Sequence, residues 1–246
     1  MHLNNFIAIV MAAGSGQRMG LGYNKLLFNL AGQSVLERSV RCLLSEPRLS
    51  RVYVVAAAED FKLFAPILNR LAASDQRLNS NCINGGSTRT ASVHNAVEFL
   101  SHSEPLPDFL LIHDGARCLL SRQLLSTIID TVSKGLVTAP ALPLTDSIHQ
   151  VDVNGHAMAA LPRDNLRAVQ TPQAFPWPFI YRAYSAKSTL MNSTGTAKYT
   201  DDISLMYALN IPVQFVPGDY KNIKLTSPLD IILAKEFLRS SSSQEN

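Results

Sequence analysis

The sequence predicts an α/β protein: a Rossmann-like, mostly parallel twisted sheet flanked by helices, with a projecting β-hairpin arm. Three observations carry that expectation. Phe6–Ala13 and Phe109–His113 are short, nearly unbroken apolar runs, as strands covered on both faces require. Such runs alternate with segments of helical length, the order that builds a parallel sheet. The pattern breaks once, between Asp146 and Val169, where polarity alternates about Asn154-Gly155, a dipeptide of tight hairpin turns.

Each element has a local justification. Phe6–Ala13, the first strand, runs into a glycine loop. Ser34-Val35-Leu36-Glu37 reads as a capping box, Ser34 serving the third backbone N–H and Glu37 reaching back; it opens a helix to Leu44 that Pro47 ends. Arg51–Ala57 is a second buried strand and Asp60–Leu71 a second helix. A short strand at Asn81–Ile83 leads to Asn84-Gly85-Gly86-Ser87-Thr88-Arg89, where Ser87 or Thr88 caps a helix to Leu100. The fourth strand, Phe109–His113, ends on Asp114. Ser121–Lys134 is then helical and Val137–Ala141 a strand. Beyond the hairpin of Ser147–Val151 and Ala157–Leu161, Pro176–Ser188 and Thr200–Ala208 are helices, and Val213–Val216 and Asn222–Thr226 strands. Pro228 opens a last helix at its first position, and Ser240–Asn246 is a Ser-rich frayed tail. The expected organisation is one α/β domain over 1–142 and 170–239, an arm over 143–169 and a tail over 240–246.

At 246 residues and 46% hydrophobic, the chain can bury a substantial core. A net charge of +3 without a basic run argues against a nucleic-acid partner. No apolar stretch approaches the ~18 residues of a membrane span. Met1–Asn5 carries no Lys or Arg, so Phe6–Ala13 does not read as a signal-peptide core. Cys42, Cys82 and Cys118 form no C-x-x-C pair and read as free thiols in a reducing compartment, so the expected location is the cytoplasm.

The stretch Ala8–Lys25 is the most informative. Its loop holds Gly14, Gly16, Gly20 and Gly22, which let backbone N–H groups close on an anion, and it carries two cations, Arg18 and Lys25. Polyphosphate is the ligand class this suits. The dinucleotide fingerprint is excluded, because after Gly14 and Gly16 the third glycine is out of register and the second strand ends in Ala56-Ala57-Ala58 rather than near an acidic ribose-binder. A Walker A loop is excluded because no Gly-Lys dipeptide occurs. The run A-A-G-S-G-Q-R-M followed by a lysine is instead similar to the opening motif of sugar-nucleotide pyrophosphorylases and cytidylyltransferases.

In open parallel sheets, ligands bind beyond the carboxyl ends of the strands. Gly14–Lys25, Gly85–Arg89 and Asp114–Arg117 all fall there. Gly85-Gly86-Ser87-x-Arg89-x-x-Ser92 feeds a helix N-terminus: exposed peptide groups can read a base edge, and the helix end with Arg89 favours phosphate. An ordinary capped helix accounts for the same spacing. Asp114 at a strand end suits a Mg²⁺ ligand, since magnesium takes one or two carboxylates plus substrate phosphates; a helix cap or a buried pair with Arg117 are the alternatives. His113, facing the other way, reads as a packing residue, Arg163 as a surface charge and Lys224 as a rim residue. Thr200-Asp201-Asp202 reads as an N-cap with an acidic first turn.

Taken in order, A-A-G-S-G-Q-R-M, Lys25, N-G-G-S-T-R-T-A-S-V, H-D-G-A-R, the Arg163 stretch ending T-P-Q, T-D-D-I-S and N-I-K-L-T resemble the 2-C-methyl-D-erythritol 4-phosphate cytidylyltransferase family from about Ile7 to Leu238. The resemblance implies the nucleotide-diphospho-sugar transferase type of fold and a Mg²⁺- or Mn²⁺-dependent transfer of a cytidylyl group from CTP to a polyol phosphate. It implies that Arg18 and Lys25 hold the triphosphate and stabilise the transition state. Ala12, Ala13, Gly14, Gly16, Gly85, Gly86, Ser87, Arg89, Ser92, Asp114 and Gly115 are implied for CTP, with Asp114 also on the metal. Arg117, Ser147, Arg163, Thr171, Thr200 and Lys224 are implied for the polyol phosphate. Ser147 and Arg163 would reach a neighbouring subunit's site, giving a homodimer with exchanged arms.

There are departures from the family pattern. Asn24 stands where Pro is usual, so the loop is expected to be more mobile before CTP binds. Ser87 replaces an acidic residue, Gly115 an Ala, Cys118 a Pro, Ser147 a Thr and Asp202 a Glu. None removes a charge the chemistry needs. The chain offers no Ser–His or Cys–His pair as a general base, consistent with a phosphate nucleophile that is already ionised. Two other readings remain at this stage: ribitol 5-phosphate cytidylyltransferase, and a non-catalytic nucleotide-binding regulatory domain. Base selectivity against uridylyl or guanylyl transfer rests on the Gly85–Ser87 turn.

Overall fold

The computed structural model describes residues 4–14, 22–185 and 201–242. In chain order its elements are β1 (Phe6–Met11), β2 (Asn29–Leu30), β3 (Gln33–Ser34), α1 (Val35–Leu44), β4 (Leu49–Ala56), α2 (Phe61–Ser74), β5 (Ile83–Asn84), α3 (Arg89–Ser101), β6 (Phe109–Asp114), α4 (Arg122–Val132), β7 (Val137–Pro143), β8 (Ile148–Val151), β9 (Ala157–Leu161), β10 (Arg167–Val169), β11 (Gln173–Pro176), α5 (Trp177–Ser185), α6 (Asp202–Ala208), β12 (Val213–Pro217) and α7 (Pro228–Ser242).

An eight-stranded sheet runs in the order β10-β7-β11-β6-β1-β4-β5, with β12 also paired to β7. β1 pairs in parallel with both β4 and β6, and β4 with β5. The chain therefore steps outward from β1 through β4 to β5, then returns to the other side of β1 as β6. That reversal places a crevice beyond the carboxyl ends of β1 and its neighbours, where open α/β sheets bind ligands. β10 and β11 run antiparallel to the strands they join.

β1 is apolar without alternation because both its faces are covered. Ala8 and Val10 pack with Leu36, Val40, Phe64 and Leu125 on one side; Ile7 and Ile9 pack with Val93, Val97, Phe175 and Ile180 on the other. The helix starts follow side-chain chemistry. Ser34 accepts from Glu37 N at 3.1 Å, Thr88 from Ala91 N at 3.0 Å and Ser121 from Leu124 N at 3.3 Å.

Several expectations need correction. Only half of the capping box forms: Ser34 lies in β3, and the Glu37 carboxylate turns to Arg41 Nε at 2.9 Å and Arg70 Nη2 at 2.6 Å. The cap of α6 is Asp201, which accepts from Ser204 N at 3.0 Å, rather than Thr200. Asn222–Thr226 is not a strand but an irregular segment anchored from below, Asn222 Nδ2 donating to Thr171 O at 3.0 Å and Leu225 N to Ala116 O at 2.9 Å. The final helix reaches Ser242, three residues into the expected tail. β8 and β9 pair only with each other about a loop in which Gly155 takes φ +86°. The flanks of the 143–169 arm belong to the main sheet, since Arg167–Val169 pairs with Ala141–Pro143.

Candidate active site

The crevice holds a cavity of about 830 Å³. Its walls come from three strand ends. The first wall is Met11–Gly14 with Lys25 and Leu26; the second is Ala57–Glu59 after β4; the third is Asn84–Arg89 with Ser92. Asp114, Ala116 and Lys224 close the floor. Of the expected residues, Ala12, Ala13, Gly14, Lys25, Gly85, Gly86, Ser87, Arg89, Ser92, Asp114 and Lys224 share this one hollow. Gly16, Arg18 and Thr200 lie outside the described residues.

Asp114 is its electrostatic centre. Lys224 Nζ donates to its Oδ2 at 2.7 Å and Arg89 Nε to its Oδ1 at 3.4 Å. Burial alone would raise the carboxyl's pKa; the charges of Arg89 and Lys224 win and hold it well below the usual carboxylate range. Arg89 in turn lies between two carboxylates, its Nη1 2.8 Å from Asp202 Oδ2. Burial would pull the guanidinium's pKa down, but Asp202 and Asp114 raise it. Asp202 is buried, and its other oxygen accepts from Tyr184 OH at 2.5 Å. Sequence reading gave Asp202 only a first-turn role. Nothing local marks it as the counter-ion of Arg89, because α6 is brought to α3 by the fold. Lys25 Nζ donates to Leu225 O at 2.8 Å, which ties the end of the glycine loop to the segment carrying Lys224.

The glycine turn is fixed by packing. A Cβ on Gly86 would stand 2.5 Å from Ala91 Cβ, and one on Gly85 2.7 Å from Ala13 Cβ. The turn's own donors are used internally, Gly85 N to Ala56 O at 2.8 Å and Gly86 N to Ser92 Oγ at 3.0 Å. Ser92 Oγ also donates to Thr88 O at 2.9 Å. The N–H groups of both glycines are thus spent within the protein, and Ser92 holds the turn.

Other expected residues sit elsewhere. Gly115 packs under the cavity floor, where a Cβ would meet Met11 O at 3.1 Å. The Thr171 hydroxyl is buried behind β6: it accepts from Asp114 N at 3.0 Å and lies 3.2 Å from His113 Nδ1. His113 Nε2 faces Arg117 O at 3.1 Å. The carbonyl requires the ring proton on Nε2, so Nδ1 accepts from Thr171. Antiparallel β11 makes this contact possible, because it sets Thr171 beside the carboxyl end of β6. Arg117 does not line the cavity; its Nη1 donates to Asn222 O at 2.7 Å, its buried Nε has no partner among the described residues, and burial lowers its pKa against the pull of Asp114. Ser147 and Arg163 are exposed on the arm, Arg163 Nη1 donating to Thr145 O.

Asn24 is held by its own side chain, while residues 15–21 of the loop before it lie outside the described residues. Asn24 is buried, its Oδ1 accepts from Leu26 N at 3.0 Å, and its Nδ2 donates to Asp60 Oδ2 at 2.7 Å.

Among the described residues no group of three or more His, Cys, Asp or Glu side chains could hold a metal ion by itself. A metal arriving on a triphosphate would meet Asp114, whose two oxygens are engaged here by Lys224 and Arg89. Asp114 supplies one ionised carboxylate in the cavity, and magnesium draws its remaining ligands from phosphate and water. No helix among the described residues is long and apolar enough to cross a membrane.

Comparison with known proteins agrees with this geometry. The family model for IspD, 2-C-methyl-D-erythritol 4-phosphate cytidylyltransferase, matches residues 6–240. A protein of that name from Prochlorococcus marinus (strain NATL2A) is 36% identical over 239 residues, covering 97% of this chain and 98% of the relative. One from strain AS9601 is 36% identical over 232 residues, covering 94% and 98%. The solved structure of 4-diphosphocytidyl-2C-methyl-D-erythritol synthase from Anaerococcus prevotii DSM 20548 superposes with a TM-score of 0.78 at 28% identity, covering 96% of this chain and 99% of that one. With its glycine turn, its cationic cavity and a match that spans nearly its whole length, the chain belongs to the 2-C-methyl-D-erythritol 4-phosphate cytidylyltransferase family.

Proposed function

We propose that this chain joins CTP to 2-C-methyl-D-erythritol 4-phosphate, yielding 4-diphosphocytidyl-2-C-methyl-D-erythritol and pyrophosphate in isoprenoid biosynthesis. The supporting observation is the convergence of Lys25, Lys224 and Arg89 with Asp114 in one cavity at the sheet's reversal point. A phosphate oxygen of the polyol forms a bond to the α-phosphorus of CTP. The bond from that phosphorus to the β-phosphate bridge breaks, and pyrophosphate leaves with the electron pair. A phosphate monoester with a second pKa of ~6 is largely dianionic at neutral pH, so no general base is needed. The barrier is the meeting of two polyanions, which preorganised cations lower.

Lys25, with Arg18, is assigned to the triphosphate. Lys224 is assigned to the polyol phosphate, with Arg117, Thr171 and Thr200 around it; Thr171 and Arg117 act from behind, through Asp114 and the 222–224 segment. Gly85, Gly86 and Ser87 offer cytosine the backbone groups not consumed within the turn. Asp114 would hold a Mg²⁺ or Mn²⁺ ion bound with CTP, which supplies charge neutralisation on the phosphate oxygens. The exposed apolar residues Val151, Met158 and Leu161 on β8 and β9 support a homodimer in which Ser147 and Arg163 enter the neighbour's pocket. We place the enzyme in the cytoplasm, in keeping with three free cysteines.

The test measures pyrophosphate release from CTP, UTP and GTP with Mg²⁺ and either 2-C-methyl-D-erythritol 4-phosphate or ribitol 5-phosphate. The expected outcome is turnover with CTP and the methylerythritol substrate. A higher kcat/KM with ribitol 5-phosphate would reassign the substrate, and CTP binding without turnover would remove the enzymatic reading.

A further inference from the structure

The turn that carries Lys25 and the segment that follows β4 are joined by a side-chain bond. Lys25 and Leu26 line one wall and Ala57, Ala58 and Glu59 another. Asn24 and Asp60 are the residues adjoining those two segments, and Asn24 Nδ2 donates to Asp60 Oδ2 at 2.7 Å. The same Asn24 side chain caps the 3-10 turn that carries Lys25, its Oδ1 accepting from Leu26 N at 3.0 Å, while its carbonyl accepts from Leu27 N at 3.0 Å. Both ends of the Asn24 amide are therefore committed. One end fixes the backbone from which Lys25 projects, and the other ties that backbone to the segment that follows β4.

We infer that Asn24 and Asp60 form a positioning latch that sets the spacing of these walls and the direction of the Lys25 ammonium. Neither residue touches substrate. The latch acts through Lys25, and its kinetic consequences rest on the proposed function. A charged acceptor makes the bond stronger than a neutral pair. Removing it lets the 57–60 wall and the Lys25 turn move independently, and displacements of about 1 Å at a reacting centre cost up to ~10²-fold in rate.

The bond can be reversed without losing the cap. In Asn24→Asp the carboxylate still caps Leu26 but faces Asp60 with like charge; in Asn24→Asp with Asp60→Asn the amide lies on the other side and donates back. The expected result is a ~10-fold fall in kcat/KM for CTP in Asn24→Asp and in Asp60→Ala, with KM for the polyol phosphate within ~2-fold of wild type. Amide exchange at Leu26 and Leu27 should quicken in both, and the swapped pair should recover activity and protection. The latch is overturned if the single variants match wild type in rate and exchange, or if the swap recovers neither. Should wild type fail to turn over CTP, the functional reading falls, and amide exchange still decides the latch.

Discussion

The buried ring of His113 makes stability depend on pH in a window that can be isolated. His113 is fully buried in β6, and burial pushes its pKa down to about 4 from 6.5. Its Nε2–H is held by Arg117 O and its Nδ1 by the Thr171 hydroxyl, so the neutral ring is the form the fold accommodates. Between pH 6.5 and 4 an unfolded chain binds a proton at this residue that the folded chain does not. The stability is therefore fully present above pH 6.5 and declines as pH falls, by about 1.4 kcal/mol per pH unit and about 3 kcal/mol in all. The lowered carboxyl groups of Asp114 and Asp230 work in a different range: their stabilisation is present above ~3.9 and is lost only as pH falls below that. Urea unfolding followed through Trp177, the single tryptophan and a buried one, should give the His113 slope between pH 6.5 and pH 5. His113→Gln should be less stable at pH 7 by about 1–3 kcal/mol, from unpaired groups, yet flat across the same window. A flat wild-type profile, or the full slope surviving in His113→Gln, would refute the reasoning.

Three further outcomes concern the site. Lys25→Ala should lower kcat by ~10²–10³ with far-ultraviolet circular dichroism unchanged, and activity within threefold of wild type would discard its assignment to the triphosphate. Arg163→Ala should raise KM for the polyol phosphate and leave KM for CTP nearly unchanged; the opposite split places the residue elsewhere. Gly86→Ala forces a methyl to within 2.5 Å of Ala91 Cβ, so thermal unfolding should show a loss of about 1–3 kcal/mol together with a raised KM for CTP. An unchanged melting temperature would mean that the turn yields more easily than its packing indicates.

The parts of the fold that depend on local pattern were legible in the sequence. β1 and β6 are apolar runs, and Ser34, Thr88 and Ser121 announce the helices they cap. β11 was not legible: Gln173–Pro176 is four residues long and follows Pro172, and it becomes a strand because β6 and β7 flank it. Lys224 misled in the other direction. Its apolar neighbours suggest a strand, but Asn222 and Leu225 are spent anchoring the segment from beneath, so the backbone follows its anchors instead of a sheet edge.

The candidate site divides along the same line. Which residues reach the cavity could be read from strand ends and glycines, because topology delivers the carboxyl ends of parallel β1, β4, β5 and β6 to one edge. What each residue is paired with could not, since Lys224 lies 110 positions from Asp114 and Arg89 25 positions from it. The distinction matters most at Asn24. Judged by what it replaces, it predicts a looser loop; judged by its contacts, it holds the Lys25 turn with two hydrogen bonds, one of them to a charge. A proline constrains its own φ and the residue before it and offers no side-chain bond to the neighbouring wall. The asparagine constrains the turn and the wall together, so the substitution moves rigidity from the backbone into a side-chain bond rather than removing it.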